Sequence, residues 1–339
     1  MRVSLVVGTL LVAIALLVYS TARADYADRE DVRVYVDALV ADHGFERAWV
    51  EDVLGKARRQ QSIIDAISRP AEKVLKWHEY RRIFIEDRRI ERGLEFWNEH
   101  RQALERAEAE YGVPAHYIVA IIGVETRYGR ILGGYRVLDA LATLGFDYEP
   151  RAKFFRKELT EFLLLSQEER RDPTELKGSY AGAMGYGQFI PSSYRSYAVD
   201  FDGDGQRDIW SNPVDAIGSV ANYFKRHGWR GDSAVIELAS MPADDEARKQ
   251  LDALANQSLK PEMPVGQLRE LGLFVADVPN EARAALFRME QPETSEYWLG
   301  LHDFYVISRY NHSRMYALVV YQLGQLLAAS QGSARLEAS

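Results

Sequence analysis

Apolar residues recur at helical spacing along the first part of the chain. The stretches VRVYVDALVADHG and RRIERGLEFWNEHRQALERAEAEYG alternate charged clusters with apolar positions three or four residues apart, the pattern of amphipathic helices. We predict two to four helices between Asp31 and Glu110, with Gly112 and Pro114 marking the end of the last one. Most charges of this region belong to a solvated face and indicate no chemistry.

The pattern changes twice further along the chain. From Pro114 to Gly228 it stays helical but is broken by a glycine-rich stretch, KGSYAGAMGYGQFIPSSY at 177–194, and by an acidic loop, DFDGDGQRD at 200–208. After Trp229, short apolar runs separated by polar turns predict a small mixed or β-rich lobe. Helical periodicity returns in RMYALVVYQLGQLLAAS. The sequence therefore predicts a mainly helical α+β protein with a smaller insertion near its end.

The first residues, MRVSLVVGTLLVAIALLVYSTARADY, have the features of an export signal. A basic residue is followed by a long apolar stretch and then by the small-residue pattern ARA of a signal peptidase site. We expect residues 1–24 to be a signal peptide and Asp25 to begin the mature chain. The alternative is an uncleaved anchor from Val3 to Tyr19, which is close to the lower length limit of a spanning helix.

Composition excludes several classes of function. The chain has 339 residues, 47% of them hydrophobic, which is enough for a sizeable core. It has no cysteine, so it forms no disulfide or zinc–thiolate site and lacks the cysteine that a lipoprotein acylates. A formal net charge of −8 argues against a nucleic-acid partner and requires any anionic substrate to be held by local contacts.

One carboxylate stands in a nearly unbroken apolar run, IVAIIGVETRYGR at 118–130. Pro114 suits the first position of a helix and Gly129 is a plausible terminator. Within that helix Glu125 shares one stripe with the isoleucines at 118, 121 and 122, and the opposite side is apolar as well. The pattern predicts a helix that is buried nearly all round and carries one acid.

The burial of Glu125 has two interpretations. Burial disfavours the charged form, which would raise the pKa of Glu125 and give a protonated acid of the kind that a glycosidase uses toward a leaving-group oxygen. Alternatively, Arg127, Arg130 or Arg136 anchors Glu125 in a structural ion pair. The spacing alone favours neither interpretation.

The glycine-rich stretch suits close approach of a ligand to backbone. It has glycines at 178, 182, 185 and 187, while Tyr180 and Tyr186 offer flat faces of the kind that stack on sugar rings. It has neither the G-K-[ST] ending of a phosphate-binding loop nor a G-x-G-x-x-G after a strand. We expect no organic cofactor.

Five blocks of sequence together resemble the lytic murein transglycosylases, and more specifically their B family, glycoside hydrolase family 103. The blocks are IIGVETRYGR, SYAGAMGYGQFIPSSY, VDFDGDG, NPVDAIGSVANYFKRHGW and ISRYNHSRMYALVVYQLG, and they cover roughly residues 110–325. The resemblance implies a lysozyme-like helical core with an additional helical region and a small β-containing domain. On this basis we expect an N-terminal helical region at 25–110, the catalytic core at 111–230, the small lobe at 231–300 and a completing helix at 301–330.

The reaction that the resemblance implies is cleavage of the β-1,4 bond between N-acetylmuramic acid and N-acetylglucosamine without water, leaving a 1,6-anhydromuramyl end. Glu125 matches the single catalytic acid/base of the family, and Gln188 its active-site glutamine. Ser179, Asn311 and Tyr316 match polar residues around the acid, with Ser179 and Tyr316 as candidate hydrogen-bond partners of Glu125.

The sequence offers no convincing second acid for this chemistry. A hydrolase usually places two carboxyl groups across the bond. The nearest other acids, Asp139, Asp147 and Glu149, lie in segments with no comparable buried setting. One carboxyl group that acts first as acid and then as base fits this absence.

The acidic loop has the spacing of a calcium site. Asp200, Asp202 and Asp204 occupy positions 1, 3 and 5 of a D-x-D-x-D-G loop, and Gln206 can offer its carbonyl at position 7. Position 12 is Ser211 instead of the bidentate glutamate of an EF-hand. In the family that the chain resembles, an aspartate further along closes the loop, and Asp215 matches it. We expect a structural Ca²⁺ ion here; a plain polar turn is the alternative.

The expected protein is a periplasmic, non-lipidated enzyme that acts on peptidoglycan glycan strands as a monomer. Proteins of cell-wall synthesis or division are conceivable partners that the sequence does not identify. Two other functions remain open at this point: a muramidase that uses water in place of the C6 hydroxyl, and a calcium-dependent module that binds the wall without cleaving it.

Overall fold

The structure is a computed structural model that describes residues 25–68 and 75–337. The predicted signal peptide lies outside the described residues. Fifteen helices dominate the described part of the chain, with two small antiparallel sheets beside them, so the prediction of a mainly helical α+β fold is confirmed. Within these described ranges, no helix combines the length and apolar character needed to cross a membrane.

The N-terminal region contains six helices where the sequence predicts two to four. Several of these helices end at residues that are not typical helix terminators, so the sequence did not predict the breaks. Gly44 is the clearest exception, because its φ of 70° closes the first helix. These helices are α1 (Glu30–His43), α2 (Arg47–Gly55), α3 (Gln61–Ile67), α4 (Trp77–Phe84), α5 (Asp87–Glu99) and α6 (Arg101–Tyr111).

One long helix lies at the centre of the main hydrophobic core. It is α7 (Ala115–Thr126), and all of its residues except His116 and Glu125 are buried. Helices α5 and α6 pack against it, together with α11 (Pro213–Arg226) and α15 (Arg314–Glu337). Because a helix that is apolar all round must be covered on every side, this placement confirms the prediction made from its sequence.

A second core includes Met184 and Phe189 of the glycine-rich stretch. Tyr26 and apolar residues of α1, α2 and α3 pack there against three helices from the middle of the chain. Those three are α8 (Val137–Asp147), α9 (Ala152–Glu168, preceded by a 3₁₀ turn at Glu149–Arg151) and α10 (Pro191–Tyr197). Helices α1–α3 and helices α4–α6 thus serve different cores, although both groups fall in the predicted 25–110 region.

The predicted small lobe contains a four-stranded antiparallel sheet with its own apolar cluster. Two short helices, α12 (Asp245–Leu254) and α13 (Val265–Glu270), contribute to that cluster. The strands run in the order β3 (Ile236–Ala239), β6 (Ser295–Gly300), β5 (Arg283–Glu290) and β4 (Met263–Pro264). The chain then returns to the main core through α14 (His302–Tyr310) and α15.

A second, two-stranded sheet pins the glycine-rich stretch to the segment after α7. Its strands are β1 (Tyr135–Arg136) and β2 (Lys177–Gly178), with Tyr135 opposite Gly178. Two further bridges, Gly178 to Met184 and Met184 to Phe189, fold the stretch back on itself. This places the glycine-rich backbone beside the end of α7.

Candidate active site

Glu125 lies in the last turn of the buried helix α7 and is itself half-buried. The hydroxyl of Tyr316, in the first turns of α15, donates a hydrogen bond to Glu125 Oε1 at 2.5 Å. Tyr316 is buried, and its burial together with the negative charge of Glu125 raises its pKa well above the usual value. The tyrosine therefore stays a hydrogen-bond donor at every working pH.

The helix ends three residues earlier than predicted, in a left-handed turn directly after the acid. Arg127, Tyr128 and Gly129 have φ values of 51°, 61° and 79°. Left-handed conformations in non-glycine residues cost about 1–2 kcal/mol each, so surrounding contacts must hold this turn. Pro114 likewise precedes the helix as its N-cap instead of occupying its first position.

Thr126 supplies much of what holds the turn. Its hydroxyl accepts the N–H of Gly129 at 3.0 Å, and its one proton lies within reach of two carbonyl oxygens, that of Tyr186 at 3.0 Å and that of Ile122 at 3.1 Å. The ring of Tyr186 packs so closely on Gly129 that a Cβ there would lie 2.1 Å from it. The end of α7 and the glycine-rich stretch are therefore fixed to each other immediately beside Glu125.

Gln188 lies in the same stretch, in a left-handed conformation with φ of 50°. Its side-chain N–H groups donate to the carbonyl oxygens of Gly185 at 2.9 Å and Leu132 at 3.3 Å. The side chain thus bridges the glycine-rich stretch to the loop that follows α7. This contact orients Gln188 and uses both hydrogens of its amide.

Tyr310 is a residue of the site that the sequence did not single out. Its hydroxyl donates to the carbonyl oxygen of Gly187 at 2.6 Å, and its ring lies nearly parallel to that of Tyr316, with centroids 6.4 Å apart. Burial and then the charge of Glu125 raise the pKa of Tyr310 well above its usual value. The only sequence feature that could have identified Tyr310 as a site residue is its position beside Asn311, because tyrosines at helix ends are common.

The remaining candidates from the sequence have other surroundings. The Ser179 hydroxyl accepts the backbone N–H groups of Ala181 and Ala183 at 3.2 and 3.1 Å. These contacts show that the hydroxyl stabilises its own loop, and its hydrogen bond to Glu125 stays a prediction. Tyr180 is 37% exposed, and Asn311 is an exposed residue that directly follows α14.

The three arginines near Glu125 in the sequence have other partners or are exposed. Arg136 forms an ion pair with Asp139 at 2.6 Å, while Arg127 and Arg130 are exposed. A different arginine, Arg89 of α5, is buried and donates to the carbonyl oxygen of Gly123 at 2.7 Å, and burial lowers its pKa. No sequence signal distinguishes Arg89 from the other charges of its helix.

Four carboxylates are fully buried in the described part of the chain, namely Asp139, Glu158, Asp215 and Asp303. Asp139 corrects the prediction that no other nearby acid is buried, but its charge is held by an arginine and a backbone N–H. Each of the other three accepts at least one backbone N–H. These acids stabilise loops and helix ends through hydrogen bonds. Glu125 differs from them because it is half-exposed and accepts a hydrogen bond from a tyrosine hydroxyl.

The acidic loop gathers the three predicted carboxylates. Asp200, Asp202 and Asp204 each offer an oxygen atom within 4.8 Å of the others, which suits the oxygen-rich shell that Ca²⁺ prefers. The Asp200 carboxylate also accepts three backbone N–H groups of the loop, and these lower its pKa. The loop therefore presents concentrated negative charge on an ordered backbone.

Asp215 does not join this cluster. Its two carboxylate oxygens accept the backbone N–H groups of Phe201 and Asp208 at 2.7 and 2.8 Å, and burial raises its pKa. Asp215 thus ties both sides of the loop to the start of α11. These two N–H groups occupy part of the lone-pair capacity of the Asp215 carboxylate.

Helices packed around a buried central helix that ends in one half-exposed glutamic acid define a lysozyme-like, glycan-cleaving class of protein. The comparison with known families agrees with this class: the Transglycosylase SLT domain matches residues 27–325. The chain belongs to this family.

Individual relatives cover nearly all of the chain. Membrane-bound lytic murein transglycosylase B of Escherichia coli K12 is 43% identical over 321 residues, which are 91% of this chain and 85% of that protein. The catenated lytic transglycosylase SltB1 of Pseudomonas aeruginosa has a similar structure, with a TM-score of 0.85 and 52% identity over 90% of this chain and 99% of that one. E. coli lytic transglycosylase Slt35 in complex with calcium has a TM-score of 0.82 and 44% identity, over 91% and 96% of the two chains.

Proposed function

We propose that this protein is a peptidoglycan lytic transglycosylase that cleaves the MurNAc-β-1,4-GlcNAc bond and leaves a 1,6-anhydro-MurNAc end. The observation that carries this proposal is the setting of Glu125. It is a partly exposed acid in the last turn of the central helix, and a buried tyrosine hydroxyl bonds to it. The membership of the family and the names of its relatives support the same reaction.

In the first step Glu125 acts as the acid. Its carboxyl proton passes to the glycosidic oxygen, the bond from that oxygen to C1 of the muramyl unit breaks, and the GlcNAc hydroxyl leaves. The 2-acetamido oxygen of the same muramyl unit supports the positive charge that develops at C1. No second carboxylate is needed at this stage because the substrate supplies the stabilising group.

In the second step Glu125 acts as the base. The carboxylate removes the proton of the C6 hydroxyl, and that oxygen forms a new bond to C1. The acid is protonated again and ready for another turnover. Tyr316 remains a donor throughout, since its raised pKa keeps its proton in place, and so it holds the carboxylate in one orientation.

The other cleft residues are proposed to hold the glycan. The side-chain oxygen of Gln188 accepts a substrate hydroxyl while its N–H groups stay on the backbone. Tyr180 and Tyr186 present ring faces to the sugars. Ser179 acts through the loop that it braces, and Asn311 lies beside Tyr310 at the cleft.

The products of the reaction test this proposal directly. We expect purified sacculi incubated with the protein to release muropeptides with 1,6-anhydro ends, which are 18 mass units lighter than their hydrated counterparts because no water is added. Mass spectrometry of the soluble fraction measures this difference.

Reducing muramic acid in place of anhydro ends would identify a muramidase instead. Binding to sacculi without any soluble product, in wild type and Glu125→Gln alike, would identify a wall-binding module. The position of Glu125 argues against a wall-binding module. Placing a carboxylate at the end of an apolar helix costs free energy, and binding alone does not require that cost.

We also propose that Ca²⁺ binds in the acidic loop, with Asp200, Asp202 and Asp204 as ligands and the carbonyl oxygen of Gln206 as a fourth protein ligand. The two positive charges of the ion would offset most of the negative charge of the three neighbouring carboxylates and so stabilise the turn that leads into α11. Its role is structural, since it supplies charge to the loop and takes no part in the proton transfers of Glu125.

Removal of calcium is expected to lower the melting temperature. Calcium at about 100 times its Kd adds about 2.7 kcal/mol to the free energy of unfolding, which corresponds to a shift of about 4 °C in a protein of this size. Scanning calorimetry in calcium and in EDTA measures it, with magnesium as the control cation. The variant Asp202→Asn should lose most of the difference; identical melting curves for the wild type in calcium and EDTA would remove the ion from the proposal.

We place the enzyme in the periplasm, where its substrate lies. The predicted export signal supports this placement. Peptidoglycan strands are the proposed partner, and we keep the expectation that the protein acts as a monomer.

A further inference from the structure

The left-handed turn after Glu125 contains a second buried tyrosine. Tyr128 stands three residues after the acid, has a φ of 61° and is buried. Because a tyrosine rarely adopts this backbone conformation, contacts of its side chain have to hold it there. The proton transfers proposed for Glu125 do not use this residue.

Two glycines from different helices form a slot for the ring of Tyr128. A Cβ on Gly93 of α5 would lie 2.5 Å from the Tyr128 hydroxyl oxygen, and a Cβ on Gly123 of α7 would lie 2.6 Å from Cζ of the same ring. At Gly123 the three nearest atoms all belong to Tyr128. Real Cβ atoms do not come so close to their neighbours, so glycine at both positions leaves the space that the ring fills. We call this pair of residues the glycine slot.

A buried arginine joins the two walls of the glycine slot. Arg89 stands one turn before Gly93 on α5, and its Nη1 donates to the carbonyl oxygen of Gly123 at 2.7 Å. The backbone N–H of Arg127 donates to the same oxygen at 3.1 Å. A positive charge is favourable there, because the last carbonyl groups of a helix form the negative end of its dipole. Helix α5, the end of α7 and the turn therefore meet around the ring of Tyr128.

The ring of Tyr128 makes these contacts without help from its hydroxyl. The hydroxyl oxygen is buried and has no hydrogen-bond partner among residues 25–68 and 75–337. Burial raises the pKa of Tyr128 well above its usual value, so the side chain stays neutral. This separates Tyr128 from Tyr316, whose hydroxyl bonds to the acid.

Backbone hydrogen bonds connect the ring to the acid. The N–H of Tyr128 donates to the carbonyl oxygen of Ile122 at 3.3 Å, and the N–H of Ile131 donates to that of Thr126 at 2.9 Å. The turn thus folds back on the last turn of α7, which carries Glu125. A ring that left the slot would release the turn and with it the end of this helix.

We propose that Tyr128 is a positioning residue: its ring, held in the glycine slot, fixes the end of α7 so that the Glu125 carboxyl group meets the glycosidic oxygen in one geometry. The inference rests on the function proposed above, because it takes Glu125 to be the group that transfers the proton. Displacement of a reacting group by about 1 Å lowers a rate about 100-fold, so the support of this turn contributes to kcat.

Tyr128→Leu tests the proposal, because leucine lacks the outer ring atoms that fill the slot. We expect kcat on a soluble glycan of alternating GlcNAc and MurNAc to fall about 10- to 100-fold. KM should change less than about threefold, since the glycine-rich stretch keeps its own bridges and the bond from Tyr310 to Gly187. Tyr128→Phe keeps the ring and should have the kcat of the wild type.

The control for lost stability is Leu104→Ala, which truncates a fully buried side chain of the same core on α6. It should lower the melting temperature, as Tyr128→Leu does, but keep the kcat of the wild type when both are assayed well below their melting temperatures. If the two variants had the same kcat per folded molecule, Tyr128 would support only the fold and the proposal would be overturned.

A double-mutant cycle with Gly123→Ala tests the slot itself. Alanine suits a helix better than glycine, so a loss of kcat in Gly123→Ala reflects the collision of its Cβ with the ring. Added to Tyr128→Leu, the substitution should cost no further activity, because the ring atoms that its Cβ would meet are gone. Additive losses would overturn the proposal.

Hydrogen exchange gives a measurement that needs no turnover. The N–H groups of Tyr128 and Ile131 donate within the turn, and the N–H groups at both positions should exchange about tenfold faster or more in Tyr128→Leu than in Leu104→Ala. Equal exchange in the two variants would overturn the proposal even if kcat fell. Reducing muramic acid among the products would overturn the transglycosylase reaction alone, because a hydrolase needs the same positioned acid and the comparison of kcat would still decide the role of Tyr128.

Discussion

Glu125→Gln is expected to lower kcat about 1,000-fold or more while the protein stays folded and still binds glycan. Glutamine keeps the size and polarity of the side chain but can neither give nor take the proton. Because both proposed steps use the same carboxyl group, the substitution stops bond cleavage and ring closure together; proton transfer of this kind contributes about 10²–10⁴-fold per step. Release of anhydromuropeptides from purified sacculi measures the rate.

The control for this variant is Glu95→Gln, which changes an exposed glutamate on α5. It should keep the rate and the melting temperature of the wild type. If Glu125→Gln retained more than about a tenth of the activity, another acid would have to carry the proton. The buried acids would then be examined first, beginning with Asp139, whose partner Arg136 holds it in an ion pair.

The central helix could be predicted because its evidence is local. A run of apolar residues on every side of one helix can only be buried, and a single acid near its end must then lie at an edge of the core. The structure has α7 in that position with Glu125 half-exposed. The spacing of the acidic loop is local in the same way, and its three alternate aspartates come together as the motif predicts.

The contacts that the sequence could not predict join residues that are far apart in the chain. Tyr310 bonds to a carbonyl oxygen 123 positions away, and Tyr316 to an acid 191 positions away. The left-handed turn after Thr126 is likewise held by the ring of Tyr186 and by the Thr126 hydroxyl. Propensity alone would carry the helix on to Gly129, since nothing in Arg127 or Tyr128 favours a positive φ.

Asp215 illustrates the same limit for a charged residue. Its spacing matched a metal ligand, but burial at the start of α11 gave its carboxylate two backbone N–H groups to satisfy. A sequence motif shows which side-chain oxygens could bind a metal ion. It does not show which backbone N–H groups those oxygens accept in the folded protein. The Ser179 hydroxyl likewise accepts two backbone N–H groups of its own loop.

The contacts of the site form one connected unit around the acid. Thr126 ties the end of α7 to the glycine-rich stretch, Tyr310 ties that stretch to α14, and Tyr316 ties α15 to Glu125. Three segments that are distant in the sequence therefore fix one carboxyl group. Since proton transfer depends on its geometry, removing a single tie should reduce the rate without unfolding the protein.

Tyr316→Phe tests that tie most directly, and we expect it to lower kcat/KM about 10- to 100-fold, the range for a lost hydrogen bond to a charged group. The ring stays and fills the same buried space, so the melting temperature should change little. The activity should persist to higher pH than in the wild type, because a carboxylate that has lost a donor holds its proton more tightly.

Tyr321→Phe, on the same helix, is the matched control and should leave the rate and the pH profile unchanged. A Tyr316→Phe enzyme with wild-type rates at every pH would mean that the 2.5 Å hydrogen bond does not orient the acid, and that Thr126 and the left-handed turn suffice to hold it.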